Sequence, residues 1–128
     1  MKFTLLVTSP PTANLAVQHA AQFVQLASSA GHSIDNIFFY MDGVHNANAY
    51  MHPMNDEFNS HGAWCTIAKE LRIPLLVCIT AAERRGVIDK TLAKQNGSDG
   101  ANLSAPFQQV GLSDFFERLH NVDRLVQF

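Results

Sequence analysis

Short apolar runs along the chain alternate with stretches of helical periodicity. Phe3–Val7 is apolar and branched, is stopped by Thr8-Ser9-Pro10-Pro11, and reads as a first strand. After it, Ala16, Ala20, Phe23, Val24 and Ala27 recur at helical spacing, with Thr12 or Asn14 suited to cap the helix and Gly31 to end it. Ile34–Tyr40 predicts a second strand, and the strand–helix–strand order implies a right-handed crossover and a parallel pair. A second helix is predicted over Asp56–Leu71, where Trp64, Ile67, Ala68 and Leu71 follow an i, i+3, i+4, i+7 stripe and Asp56 and Glu57 suit its positive end. Leu75–Cys78 is a continuous apolar run fitting a buried parallel strand. Val87–Lys94 extends as a helix after Gly86, and Asn96–Gly100 is the clearest loop. Phe107–Val110 reads as a short strand ended by Gly111. Ser113 is placed to cap a last helix with Phe115, Phe116 and Leu119 inward, and Arg124–Phe128 is a final strand. Four or five strands alternating with helices define a layered α/β architecture, with residues 1–128 as a single domain.

The strand ending at Cys78 carries the candidate chemistry. Reacting groups in open parallel sheets collect outside the carboxyl ends of the strands. If Thr80 begins a helical turn, its free N–H groups and the charges of Arg84 and Arg85 favour a thiolate. A cysteine in an apolar strand is also an ordinary small core residue, so the residues leave both roles open. Cys65 lies mid-helix, without strand-end geometry, and reads as structural.

Composition narrows the function classes. Charged residues make up only 16% of the chain, which leaves room for a buried partner face. A formal net charge of −2, with Arg84–Arg85 the only adjacent basic pair, argues against direct nucleic-acid binding. No segment has the length of a membrane span, and Phe3–Val7 is too short for a signal core, so a reducing cytoplasm is expected. The segment Asp42–Pro53 mixes turn residues with Val44, Tyr50 and Met51; it fits a binding element and a loop folded over the core edge equally well.

Other chemistries lack their patterns. His45, His52 and His61 are seven and nine residues apart, without the close ligand pairs of a metal site. There is no Gly-rich phosphate loop after the first strand, no G-x-S-x-G elbow, and no C-x-x-C pair. No local signature supports a papain-like pairing of Cys78 with a distant histidine. A single activated thiol remains, one that needs no metal and no organic cofactor to accept and pass on sulfur.

Three segments resemble the TusD/DsrE family of sulfurtransferase subunits. These are Phe38–Asn48 (F-F-Y-x-x-G-V-x-N-A-N), Cys78–Val87 (containing C-x-x-A-A-x-R-R-G) and Asp123–Phe128, and the resemblance extends over essentially the whole chain. It implies a DsrE-like α/β fold with a central, mainly parallel sheet, and Cys78 as the residue that carries sulfur as a persulfide. It implies TusB-like and TusC-like partner subunits in a dimer of heterotrimers, a TusA-like donor and a TusE-like acceptor, in a relay towards 2-thiolation of the tRNA wobble uridine. A DsrE-type role in sulfur oxidation, or a non-catalytic scaffold of the same fold, is the alternative.

Overall fold

A computed structural model describes all 128 residues. Five strands, β1 (Lys2–Val7), β2 (Ser33–Phe39), β3 (Leu75–Cys78), β4 (Phe107–Val110) and β5 (Arg124–Gln127), form one sheet in the order β4-β3-β2-β1-β5. Every neighbouring pair is parallel. All five therefore end at the same edge, and each connection must cross back over a face.

The connections carry α1 (Asn14–Ser29), α2 (Ser60–Leu71), α3 (Ile79–Glu83), α4 (Lys90–Gln95) and α5 (Leu112–Leu119). The chain steps in one direction from β1 to β4, then returns across the sheet to place β5 outside β1. With right-handed crossovers, that reversal puts α5 on the opposite face from α1 and α2. The aromatic contacts agree. Phe39 meets Trp64 of α2 edge to face, whereas its neighbour Phe38 stacks on Phe115 of α5 with centroids 4.3 Å apart.

Several predicted boundaries shift for local reasons. The first helix has Ala13 as its N-cap residue, without a side-chain cap, so neither Thr12 nor Asn14 does that work. Its buried stripe is Val17, Ala20, Ala21, Val24 and Ala27, with Ala16 and Phe23 only half-buried. Gly31, at φ +86°, does end it: the His32 and Gly31 N–H groups close on the Ala27 and Ser28 carbonyls. The second helix begins at Ser60, because the Asn59 side chain accepts from the Gly62 N–H, while Glu57 turns back to accept from Met54 N–H. Val87 is fully buried in a connection, and α4 starts only after Asp89, whose carboxylate caps Leu92 N–H. The last helix is capped at Gly111 rather than Ser113, with the Asp114 carboxylate reaching back to the Gly111 N–H; Phe115 is buried but Phe116 is 56% exposed.

Candidate functional site

Cys78 is the last residue of β3 and the N-cap residue of α3. Four consecutive buried residues, Leu75–Cys78, hold the strand between β2 and β4, and the chain turns into helix immediately after the sulfur. The predicted helical turn thus begins one residue before Thr80. The first N–H groups of such a turn lack intrahelical acceptors and point out past the N-cap position.

Alternation along β3 sets Cys78 on the α5 face with Leu76, which pairs with Phe38 of the neighbouring strand; Tyr40, one residue past that strand, stacks on Phe38. There it borders a cavity of about 390 Å³, walled by Tyr40 and Met41 just past the end of β2, the opening of α3, and Gly111 and Leu112 at the start of α5. The residue itself is only 4% exposed, so the thiol is reached through this cavity rather than from an open surface.

Arg84 and Arg85 both line the cavity, as their proximity in sequence suggests. Arg85 is already engaged: its Nε lies 2.8 Å from Asp42 Oδ1, and its Nη1 donates to the Ala81 carbonyl. This pairing holds the Asp42 carboxyl below its usual range. The bond joins the turn that follows α3 to the 3-10 segment Met41–Ala47, which follows β2. Met41 begins that segment with φ +53°, a left-handed backbone unusual for a non-glycine residue, and its side chain is 53% exposed at the cavity rim.

The 3-10 segment resolves the two readings of Asp42–Pro53. Gly43, Val44, Asn46 and Ala47 are buried, so this part is core edge. Tyr50 is exposed, so the later part does present an apolar side chain to solvent. The Asn46 side chain secures the segment, donating to the Ser9 and Gly43 carbonyls and accepting from the Trp64 indole.

Cys65 lies on α2 with its Sγ 3.8 Å from His61 Nδ1, and burial pushes its thiol pKa up. Desolvation lowers the His61 pKa likewise, so both groups favour their neutral forms. No three His, Cys, Asp or Glu side chains converge as metal ligands.

The two motif segments Phe38–Asn48 and Cys78–Val87 contain most of the cavity wall, but nothing in their spacing shows that they meet, and Gly111 and Leu112 lie outside both. The Asp42–Arg85 bridge had no local signal, because its partners are 43 residues apart. Gly111 and Leu112 enter because β4 pairs with β3, which only the strand order reveals.

A thiol at a strand end, poised at the first turn of a helix in a five-stranded parallel α/β sheet, defines a class that the comparisons specify. The model of the DsrE/DsrF-like family matches residues 1–128, and the chain belongs to that family. It is 41% identical over 128 residues to the sulfurtransferase TusD of Cronobacter sakazakii, covering 100% of both chains. It is 40% identical to a sulfurtransferase TusD homolog of Pseudomonas aeruginosa and 36% to a putative sulfurtransferase DsrE of Allochromatium vinosum, covering 100% of this chain and 97% and 98% of theirs. Among solved structures, the ychN protein of E. coli shares the fold, with a TM-score of 0.76 at 15% identity over 100% of this chain and 99% of that one. These relatives place the chain among the sulfurtransferases.

Proposed function

We propose that Cys78 is the sulfur carrier of this sulfurtransferase. The observation that supports this most directly is its place at the carboxyl end of β3, facing a cavity that the first turn of α3 also lines. In the step proposed, the Cys78 thiolate attacks the terminal sulfur of a donor persulfide. The donor's S–S bond breaks, its thiolate leaves, and Cys78 becomes a persulfide. An acceptor thiolate then attacks that terminal sulfur and returns Cys78 to the thiolate, so no external oxidant or reductant is consumed. The N–H groups at the start of α3 face the region where the attacking and leaving sulfurs carry negative charge.

In this reading the donor is TusA-like, the acceptor TusE-like, and the product sulfur goes to 2-thiolation of the tRNA wobble uridine, in the cytoplasm and together with TusB-like and TusC-like subunits. The TusD relatives support it. No helix is long and apolar enough to cross a membrane, which is compatible with it. A DsrE-type role in sulfur oxidation would use the same transfer chemistry, and one relative is named a putative sulfurtransferase DsrE.

The low exposure of Cys78 favours one competing reading, a scaffold subunit in which this thiol is core. Mass spectrometry after incubation with a persulfide donor separates the two. One reductant-sensitive extra sulfur on the wild type and on Cys65→Ser, absent from Cys78→Ser, is the expected result. Equal loading of all three overturns the assignment to Cys78, and no loading with the partner subunits present supports the scaffold.

A further inference from the structure

Arg84 and Arg85 border the same cavity as Cys78, but the structure uses them differently. The Arg85 guanidinium is engaged within the protein, on the Asp42 carboxylate and the Ala81 carbonyl. Arg84, the C-cap residue of α3, is exposed and makes no ion pair.

The rest of the wall is uncharged. Its larger side chains are Tyr40, Met41, Ile79 and Leu112, and no carboxylate is among the residues that line it. Asp42 offsets Arg85, so one uncompensated positive charge, that of Arg84, borders the space in front of the thiol. The chain as a whole carries −2, so this wall has the opposite sign to the molecule. A cleft with low-dielectric walls and a single sign of charge focuses the field and draws groups of the other sign.

Sulfur transfer to Cys78, the reading on which this inference rests, moves negative charge through that space. The Cys78 thiolate attacks the terminal sulfur of a donor R–S–SH, and the donor's S–S bond breaks. The electron pair leaves on R–S⁻, while the proton stays on the transferred sulfur, now Cys78–S–SH. One negative charge is present before and after, but it passes from Cys78 to the leaving sulfur, two S–S bonds further out along the line of attack. A guanidinium stays charged at any working pH and suits that position.

We propose that Arg84 is the substrate-facing cation of the site: it holds the charge of the leaving sulfur and selects donors that are anionic beside it. Arg85 instead positions the 3-10 segment through Asp42. Alkylation with iodoacetate and with iodoacetamide tests this on the full chain carrying Cys65→Ser, with Cys78 followed by peptide mass spectrometry. The two reagents attack a thiolate alike and differ by one negative charge. Their rate ratio therefore cancels the ionisation and access of the thiol and reports the potential in the cavity.

Arg84→Gln is expected to lower the iodoacetate-to-iodoacetamide ratio about tenfold, and Arg84→Lys to retain most of it. Asp42→Asn combined with Arg85→Gln removes the pair without changing net charge, and is expected to lower the ratio less than Arg84→Gln does. Sulfur loading from glutathione persulfide is expected to slow about tenfold in Arg84→Gln and to recover largely in Arg84→Lys. An unchanged ratio in Arg84→Gln overturns the proposal. So does an equal fall in Arg84→Lys or in the paired variant, or no alkylation of Cys78 by either reagent. Loading unchanged in Arg84→Gln overturns the role in transfer even where the ratio falls. A wild type that shows the ratio but takes no sulfur rejects the carrier reading instead, and leaves the cation assigned to the cavity.

Discussion

Gly43 is required for contact rather than for conformational freedom. A Cβ at this position would overlap the Val7 carbonyl oxygen, which is backbone and cannot rotate aside. Gly43→Ala must therefore push the 3-10 segment off the end of β1, at a cost of about 1–3 kcal/mol or more, read as a lower urea midpoint. Asn46 is the second fixed point. Asn46→Ala leaves the Trp64 indole N–H and the Ser9 carbonyl without partners, and a loss of about 2–4 kcal/mol is expected in the same measurement. Both residues lie within the F-F-Y-x-x-G-V-x-N-A-N pattern, yet their physical roles were not legible there. The sequence marks Gly43 as a turn residue, whereas its real constraint comes from Val7, 36 positions earlier. Cys78 was more legible, since an apolar run of four ending in a thiol is a local signal.

Among the elements, the 3-10 segment decides most about the site. It touches β1 through Gly43, α2 through Asn46 and Trp64, and the turn after α3 through Asp42 and Arg85. Removing Val44–Tyr50 to test partner contact would therefore remove core, because Val44 and Ala47 are fully buried. Tyr50→Ser is the cleaner test: it is expected to leave the fold intact, and unchanged assembly with partner subunits would remove Tyr50 as a contact. Arg85→Ala frees the exposed Asp42 carboxyl, whose pKa is expected to rise back towards 3.8, as NMR titration would show. Helix ends were less legible than helix stripes. Asp56 and Glu57 have the right charge for a helix start, but charge acts over a whole turn whereas the Asn59 cap fixes one residue. Phe116 was expected inward on the same grounds as Phe115. An eight-residue helix lying alone on its face buries one side only, and Phe115 takes it.

At the scale of the molecule, two groups give acid destabilisation in separate windows. Burial lowers the His61 pKa below 6.5, so the unfolded chain binds a proton there that the folded chain resists. Stability should fall as pH drops through 6.5 towards the folded value, and His61→Gln should remove this slope. Asp35 behaves differently. Burial alone would raise its pKa, but hydrogen bonds from Lys2 and Asn36 and the charges of Lys2 and Arg118 overcome it and hold the pKa below 3.8. Its contribution is present above 3.8 and is lost as pH falls through the depressed folded value. Asp35→Asn should flatten only that lower limb of a urea-midpoint-against-pH curve. The alternation of strands and helices was legible in the chain, but the order of the strands was not. That β5 lies beside β1 depends on the final crossover, to which no residue spacing corresponds.

That crossover also governs how the chain must assemble. Phe3 pairs with Arg124 and Leu6 with Gln127, so the outer side of β1 gains its partner only when a strand some 120 residues later arrives. Until then β1 offers an unpaired row of N–H and C=O groups, the kind of edge that recruits other chains. Closing so long a loop slows folding, because its entropy must be lost before the strand contacts reward it. A polypeptide released from the ribosome before residue 124 would carry an open seam and associate with itself rather than remain a monomer.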